Sequence, residues 1–171
     1  LSPHPRFEIA GFARSGWYRC RGAGQWLIVF AANLVGCFVA AGFVTIADLV
    51  PPKQFEGILK VSRDYAAASA FEHFRWGILA GFLIASLVWI LPRMQSAGEV
   101  LMIMIVTYAI SLGGFSHVVA GSTELFILVL VGELDILHAT LSGILPALLG
   151  NIIGGTGIFA ALAYAQVREE L

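Results

Sequence analysis

Residues 100–132 read VLMIMIVTYAISLGGFSHVVAGSTELFILVLVG, an apolar run whose only charged member is Glu124. As one straight helix this run would be about 50 Å long, against a hydrocarbon core of about 30 Å. Dividing it into two complete spans leaves about 13 and 15 residues, fewer than the roughly 20 that a crossing needs. The stretch therefore predicts one span broken at 113–116, where Gly-Gly-Phe-Ser interrupts it. Non-helical backbone at membrane depth is tolerated only where protein buries it or where it lines a cavity.

The composition of the whole chain agrees with a membrane protein. Of 171 residues, 58% are hydrophobic and only 12% are charged, with a mean hydropathy of +0.86. Residues 26–47, 76–91 and 139–165 contain no Asp, Glu, Lys or Arg. The net charge of −1 gives no basic field for nucleic acid, and the two cysteines form no metal-binding pattern.

These runs predict an all-α membrane protein with four spans, one of them broken. Residues 53–73 alternate charged with apolar side chains and predict an amphipathic helix at the membrane interface. The predicted segments are a loop at 1–24, spans at about 26–49, 74–91, 100–132 and 139–165, and a polar tail at 166–171. The chain begins at Leu1 within a polar segment, so we expect it to be a fragment of a longer protein.

Lysine and arginine are distributed unequally between the two sides of this topology. Six of them fall on the side of the N-terminal loop and four on the other. The positive-inside rule then predicts that the loop at 1–24 and the tail at 166–171 are cytoplasmic.

Three polar residues, Asn33, His117 and Asn151, lie deep in apolar spans. Each is costly in hydrocarbon and marks an interior or functional position, although an asparagine can also serve only as an interhelical hydrogen bond. The two asparagines share one pattern, small-Asn-aliphatic-aliphatic-Gly, as an internal repeat would produce. An ordinary histidine pKa is about 6.5, so His117 can exchange a proton near neutral pH; the alternative is a neutral histidine bonded to a carbonyl.

Glu124 follows His117 by seven residues and lies on the same helix face. It lies either in the mouth of a pathway or near the interface in contact with water. Small residues also recur at four-residue spacing, as in Gly77 with Gly81 and Gly150 with Gly154. Such spacing favours close helix packing in lipid.

Taken together, these motifs resemble those of the formate/nitrite transporter family. Gly114-Phe115-Ser116-His117 is similar to the family's Gly-Phe-x-His in a broken fifth helix. Asn33-Leu34-Val35-Gly36 is similar to its Asn-Leu-Val-Gly in the third, and residues 150–155 are similar to its Gly-Asn-Ile-x-Gly-Gly in the sixth. The resemblance runs from about 25 to 165. It implies an aquaporin-like inverted-repeat bundle of six helices per subunit and a homopentamer, with this chain supplying helices three to six.

The sequence departs from the family pattern at four positions. The residue before the histidine, often Glu in the family, is Ser116, and the residue four after it, often Asn, is Gly121. The family's vestibular Lys would fall at Gly24, so one attraction for incoming anions is missing. The position of the family's Phe gate is Ile110, which remains apolar.

The resemblance implies a channel in a bacterial inner membrane for small monovalent anions or their protonated acids. His117 would hydrogen-bond the anion and exchange a proton with it, at the centre of a pathway formed with Phe115, Ser116 and Glu124. Ile110 would help to form an apolar constriction, while Asn33 and Asn151 would donate amide hydrogens in place of water. No metal, cofactor or catalytic group is expected.

Three alternatives differ in class from an anion channel. A neutral-solute pore of the aquaporin kind is one, although no Asn-Pro-Ala follows either asparagine. A truncated, non-transporting membrane scaffold is another. An intramembrane enzyme using His117 with Ser116 or Ser122 is disfavoured, because adjacent residues on one helix rarely place a serine oxygen and an imidazole in nucleophile–base geometry.

Overall fold

The computed structural model describes residues 16–46, 49–95 and 97–169, and its described parts are almost entirely helical. Helices α6, α7 and α8 form one continuous rod, because π-helical segments at Ala139–Ile144 and Ile153–Phe159 join them. The helices in chain order are α1 (Gly16–Ile46), α2 (Pro52–Ala66), α3 (Ala70–Ile90), α4 (Ala97–Leu112), α5 (Val118–Leu130), α6 (Ile136–His138), α7 (Leu145–Ile152) and α8 (Ala160–Glu169).

Three helical stretches of the described chain are long and apolar enough to cross a membrane. They are Gly24–Ile46, Ala70–Arg93 and Ile136–Arg168. Helices α4 and α5 are shorter, with 16 and 13 residues, and follow each other across the predicted break. Much of the surface of these helices is exposed and apolar, as expected of helices that face lipid or other helices.

The ends of the helices differ from the predicted limits in several places. Residues 16–24 and 166–169 are helical rather than loop and tail, because extending an established helix costs little once its apolar part has formed. Helix α1 ends at Ile46, whereas the first predicted span continued to 49; residues 47 and 48, like 1–15, lie outside the described part.

Helix α2 occupies most of the segment predicted to be amphipathic. Pro52 is at the first turn of the helix, a position where the missing proline N–H needs no partner. The helix packs against α5 and buries Leu59 and Ser62, so one face of it is covered by protein.

Helix α3 begins at Ala70, four residues before the predicted span. A capping box sets this start: Glu72 N–H donates to Ser69 Oγ at 3.3 Å, and Ser69 N–H donates to Glu72 Oε2 at 2.8 Å. Together these bonds satisfy two otherwise unpaired backbone N–H groups at the helix start. His73 consequently lies inside α3 and is buried.

The break between α4 and α5 covers residues 113–117. Gly114 adopts a φ of 63°, a left-handed conformation that glycine reaches without strain. Phe115 N–H donates to the Ile110 carbonyl at 3.0 Å, and Gly113 N–H donates to the Ala109 carbonyl at 3.0 Å. Helix α4 therefore ends in a satisfied hydrogen-bonded turn, and the chain re-enters a helix at Val118.

Glycines bring α3 and the last helical rod into close contact. A Cβ atom at Gly150 would overlap the Phe74 carbonyl oxygen, and one at Gly154 would overlap the Ile78 carbonyl oxygen. The small-residue spacing thus acts in helix packing, as the sequence predicted. This close packing of α3 and the last rod brings Asn151 within hydrogen-bonding distance of the break between α4 and α5.

Candidate functional site

Two cavities meet at His117. The first has a volume of about 890 Å³ and lies between α1, α3 and the last rod; the second, of about 490 Å³, lies between α2, α3, α4 and α5. Among the residues that the structure describes, His117 and Ile84 alone line both of them. The imidazole therefore lies where the two cavities adjoin.

The backbone at the break orients the His117 side chain. His117 is the residue before the first turn of α5, and its Nδ1 accepts a hydrogen bond from Ala120 N–H at 3.5 Å. A neutral imidazole whose Nδ1 accepts a hydrogen bond carries its proton on Nε2. Nε2 has no hydrogen-bond partner among the described residues, so its N–H is free to donate to a solute.

The side chain of Asn151, which lies in the neighbouring rod, holds the break between α4 and α5 in place through hydrogen bonds. Its Oδ1 accepts from Val118 N–H at 3.0 Å, and its Nδ2 donates to the carbonyl oxygens of Ser116 at 2.8 Å and Gly77 at 3.0 Å. The side chain lines the first cavity, but both of its amide hydrogens are used. The expectation that Asn151 offers free amide donors to a solute is therefore wrong, since its polar atoms hold α3, α5 and the break together.

A buried polar group lies behind the break. Ser116 is fully buried, and its Oγ is 3.0 Å from Nδ1 of His73, which is also buried. The Tyr65 ring packs on the His73 ring with centroids 4.5 Å apart. Ser116 thus supports the backbone beside His117 and lines neither cavity, so its hydroxyl is not exposed to a pathway.

The second cavity contains most of the other residues predicted for the pathway. Ile110, Phe115 and Glu124 line it together with His117. Asp64 of α2 lines the same cavity as Glu124. Of the two positions considered for Glu124, the structure has it in the wall of a cavity.

Asn33 lies apart from this arrangement. Its Nδ2 donates to the Val29 carbonyl of its own helix at 2.9 Å, and the side chain is exposed. It lines a separate cleft between α1 and α5 and neither of the two cavities at His117. Asn33 and Asn151 therefore stand in the same sequence pattern, but their side chains have different neighbours in the structure.

An ion pair joins α2 to the loop after α5. The Arg63 guanidinium donates two hydrogen bonds to the Glu133 carboxylate, Nη2 to Oε1 at 2.6 Å and Nε to Oε2 at 2.7 Å. The Arg63 side chain lowers the pKa of the Glu133 carboxyl below its usual value, mainly through these bonds.

Among the described residues, no cluster of three or more His, Cys, Asp or Glu side chains could hold a metal ion.

Comparison with known proteins identifies the family. The sequence model described as formate/nitrite transporter matches residues 14–165, most of the chain. The chain belongs to the formate/nitrite transporter family. Members of this family are transporters rather than enzymes, and this membership together with the apolar helices makes the chain an integral membrane protein.

Individual relatives cover different shares of the chain. It is 33% identical over 146 residues to the inner membrane protein YfdC of Escherichia coli K12, covering 85% of this chain and 47% of that protein. It is 27% identical over 89 residues to the formate-nitrite transporter of Plasmodium falciparum, covering 52% of this chain and 29% of that protein. The chain therefore spans less than half the length of these curated relatives.

A solved structure, a pentameric formate channel with formate bound, has the same fold. The TM-score is 0.75 at 16% identity, with 98% of this chain and 71% of that chain covered. This match confirms the expected helical membrane fold of the formate/nitrite transporter family.

Sequence reasoning missed Tyr65, His73 and Asp64. These residues fell in the segment predicted to lie at the interface, and no local pattern connects them to the break 40 to 60 residues later. The Ser69–Glu72 capping box was a usable signal for His73, because it places the helix start before that residue. Gly121 was a signal for Tyr65, since a glycine within a helix leaves room for a large neighbour.

Proposed function

We propose that the full-length protein conducts small monovalent anions, or their protonated acids, through a pore in which His117 exchanges a proton with the solute. The observation that supports this most directly is that His117 lines both cavities. A solute that moves from one cavity to the other within this arrangement passes the imidazole. Membership of the formate/nitrite transporter family supports the same class of solute.

The chemistry at the boundary suits an anion that has lost part of its water. The free Nε2–H donates to the anion, and the N-terminus of α5 adds a partial positive charge beside it. A bare anion pays a large desolvation cost in an apolar constriction, while a neutral acid pays far less. Ile110 and Phe115 supply such apolar walls in the second cavity.

Because a neutral acid loses its water at a lower cost than an anion does, the proposal includes a proton transfer at His117. An imidazolium at His117, formed when Nδ1 takes up a proton and gives up its hydrogen bond from Ala120 N–H, transfers one proton to the bound anion and leaves a neutral acid and a neutral imidazole. The neutral acid crosses the apolar region, and the imidazole then takes a proton from water in the adjoining cavity. In the opposite direction a neutral acid returns the proton to the imidazole and leaves as the anion.

The other residues contribute to this function indirectly. Asn151 and Ser116 hold the break in place, and through it the orientation of His117. Asn33 has no contact with the two cavities and is assigned no part in solute passage. The assembly is a homopentamer in this proposal, in a bacterial inner membrane, with both ends of this chain on the cytoplasmic side.

The test is transport by the full-length protein reconstituted into vesicles. His117→Phe removes the proton-exchanging group but keeps a planar ring, so we expect formate flux to fall at least tenfold and to lose its dependence on pH. His138→Phe is the matched control, because His138 is exposed on α6 and lines neither large cavity. Unchanged, pH-dependent flux in His117→Phe would remove the proton-exchange role. Glycerol flux as fast as formate flux would instead indicate a neutral-solute pore.

A further inference from the structure

The wall of the first cavity carries no charge. At the end beside the break it is formed by His117 and Asn151, and Gly81 of α3 packs on the backbone of Asn151 there. None of the described residues that line this cavity is Asp, Glu, Lys or Arg. An anion that enters it from water therefore meets no charged group of the wall before it reaches the imidazole.

Helix α3 supplies one side of this cavity and leads to an arginine. Gly81, Ala85 and Trp89 follow each other at four-residue spacing and line the cavity. The chain continues into a short 3-10 helix at Leu91–Arg93, so Arg93 comes about one turn after Trp89. At 1.5 Å per residue, Arg93 is about 18 Å from Gly81 along the helix axis. It therefore lies past the last lining residue of α3, at the end of the cavity away from the break.

Aromatic packing holds the guanidinium of Arg93 at this end. Its central carbon lies over the Trp89 ring, 5.5 Å from the ring centre, which is a cation–π distance. The Trp89 ring packs edge-on against Phe159 of the last rod, with ring centres 6.2 Å apart, and Phe159 also lines the cavity. The positive charge is therefore attached to a ring of the cavity wall that packs between α3 and the last rod.

The charge of Arg93 is not neutralised by a neighbouring carboxylate. Among the described side chains, no Asp or Glu lies within 4.0 Å of it. Glu99, the next carboxylate along the chain, is exposed in the first turn of α4 and forms no ion pair at that distance. A guanidinium that packs on an aromatic ring keeps N–H groups at its edge, and these can donate to a small anion.

The arginine at the other end of α3 has different surroundings. Arg75 lies over the Trp76 ring, 6.0 Å from its centre, and Trp76 lines the second cavity. Asp64 and Glu124 line that cavity too, so their negative charges oppose the field of Arg75 there. Of these two arginines, Arg93 is the one that adjoins a cavity without negative side chains.

We propose that Arg93 captures small anions at the outer end of the first cavity, before they move to His117. A positive charge beside low-dielectric aromatic walls raises the local concentration of anions and their rate of entry. Over about 18 Å the same charge acts only weakly on groups at the break, so it affects entry rather than the step at His117. This inference rests on the proposed function and adds the residue that recruits the anion.

The test measures exchange of labelled formate by the full-length protein in vesicles. With equal formate concentrations on both sides, every exchanged ion passes this end of the pore, whichever way the protein is inserted. At low ionic strength, Arg93→Gln should raise the half-saturating formate concentration about threefold to tenfold and change the maximal flux less than twofold. Arg93→Lys keeps the charge, so its half-saturating concentration should stay within about twofold of the wild type's. In about 1 M sodium gluconate, where charges are screened beyond about 3 Å, the difference between the wild type and Arg93→Gln should disappear.

Arg168→Gln is the matched control. Arg168 is exposed on α8, and no described residue of α8 lines the first cavity. It belongs to the same side of the predicted topology as Arg93, so the substitution removes an equal charge from that side without touching the cavity. The half-saturating concentration should therefore not change. Arg93→Met tests the same point if Arg93→Gln does not fold.

Each outcome decides one question. A half-saturating concentration that the folded Arg93→Gln or Arg93→Met variant does not raise overturns this inference and leaves the proposed function standing. Arg93 would then serve only to hold the end of α3 at the membrane interface. An equal rise in Arg168→Gln overturns the inference too, because the net charge of that side would be responsible. A wild-type protein that exchanges no formate overturns the proposed function, and this inference with it.

Discussion

The side-chain oxygen of Asn151 accepts a hydrogen bond from the backbone N–H of Val118 at 3.0 Å, across 33 residues of sequence. This bond satisfies the N–H of the first residue of α5, one of the N–H groups at a helix start that have no partner within the helix. The same amide donates to two carbonyl oxygens, one in the break and one in α3. The geometry of the broken helix therefore depends on a side chain from another helix.

Replacing Asn151 by Asp should destabilise the protein, although the two side chains have nearly the same shape. The carboxylate can still accept from Val118 N–H, but it has no hydrogens for the carbonyls of Ser116 and Gly77. Leaving partly buried polar groups unpaired costs about 1–3 kcal/mol each, so we expect a loss of about 2–6 kcal/mol for the two carbonyl groups. Unfolding of the full-length protein in mixed micelles measures this. Gln166→Glu, at an exposed amide of α8, should change stability by less than about 0.5 kcal/mol.

The contrast between Asn33 and Asn151 shows what the sequence could not establish. Both stand in the same local pattern, and each was expected to donate to the solute. The difference between them comes from neighbours: Asn151 faces the break because glycines bring α3 and the last rod into contact, whereas Asn33 bonds within its own helix. A local motif predicts that a polar side chain is important, but its partners depend on packing over long sequence distances.

Bilayer thickness, by contrast, allowed the sequence to predict the break at 113–116. Residues 100–132 are too long for one helix and too short for two, and glycines at the centre mark where the chain can turn. The structure has non-helical backbone at 113–117. The polar group behind it, His73 with Ser116, could not be inferred this way, because the contact joins residues 43 positions apart.

Gly154→Ala should separate α3 from the last rod. A Cβ at this position would overlap the Ile78 carbonyl oxygen, which belongs to a helix backbone and cannot move alone. Overpacking of this kind costs about 1–3 kcal/mol, which unfolding in mixed micelles would detect. Gly157→Ala lies in the same π-helical segment with open space around it, so its stability should equal or exceed the wild type's. Equal losses from both substitutions would contradict a role for close packing at Gly154.

The ion pair between Arg63 and Glu133 should make stability depend on pH in one direction. Because the folded-state pKa of Glu133 is lowered by Arg63, the pair stabilises the folded state above the unfolded-state pKa, about 4.3. That contribution disappears as the pH falls through the lower, folded-state pKa. Glu133→Gln should therefore be less stable than the wild type at pH 7 and equal to it at a pH below both values. Raising the salt concentration at pH 7 should shrink the difference, since both side chains are largely exposed.

Because Tyr65 contacts Gly121, the effects of Gly121→Ala and Tyr65→Ala on the free energy of unfolding should not be additive. A Cβ at Gly121 would overlap the Tyr65 hydroxyl and the adjoining ring carbon, so Gly121→Ala must displace the ring from the cavity wall. We expect a loss of about 1–3 kcal/mol in the wild-type background. In a Tyr65→Ala background the space is empty, and the same substitution should cost less than about 0.5 kcal/mol. A double-mutant cycle of unfolding free energies measures the difference.

Gly57→Ala supplies the control for this cycle. Gly57 lies in α2, as Tyr65 does, and a Cβ there meets no atom within 4 Å. Alanine is the better helix former by about 1 kcal/mol, so this variant should be more stable, equally in both Tyr65 backgrounds. If Gly121→Ala also behaved the same in both backgrounds, the ring would not be packed on α5. Helix α2 would then be free to lie at the interface, and Tyr65 could not form part of the cavity wall.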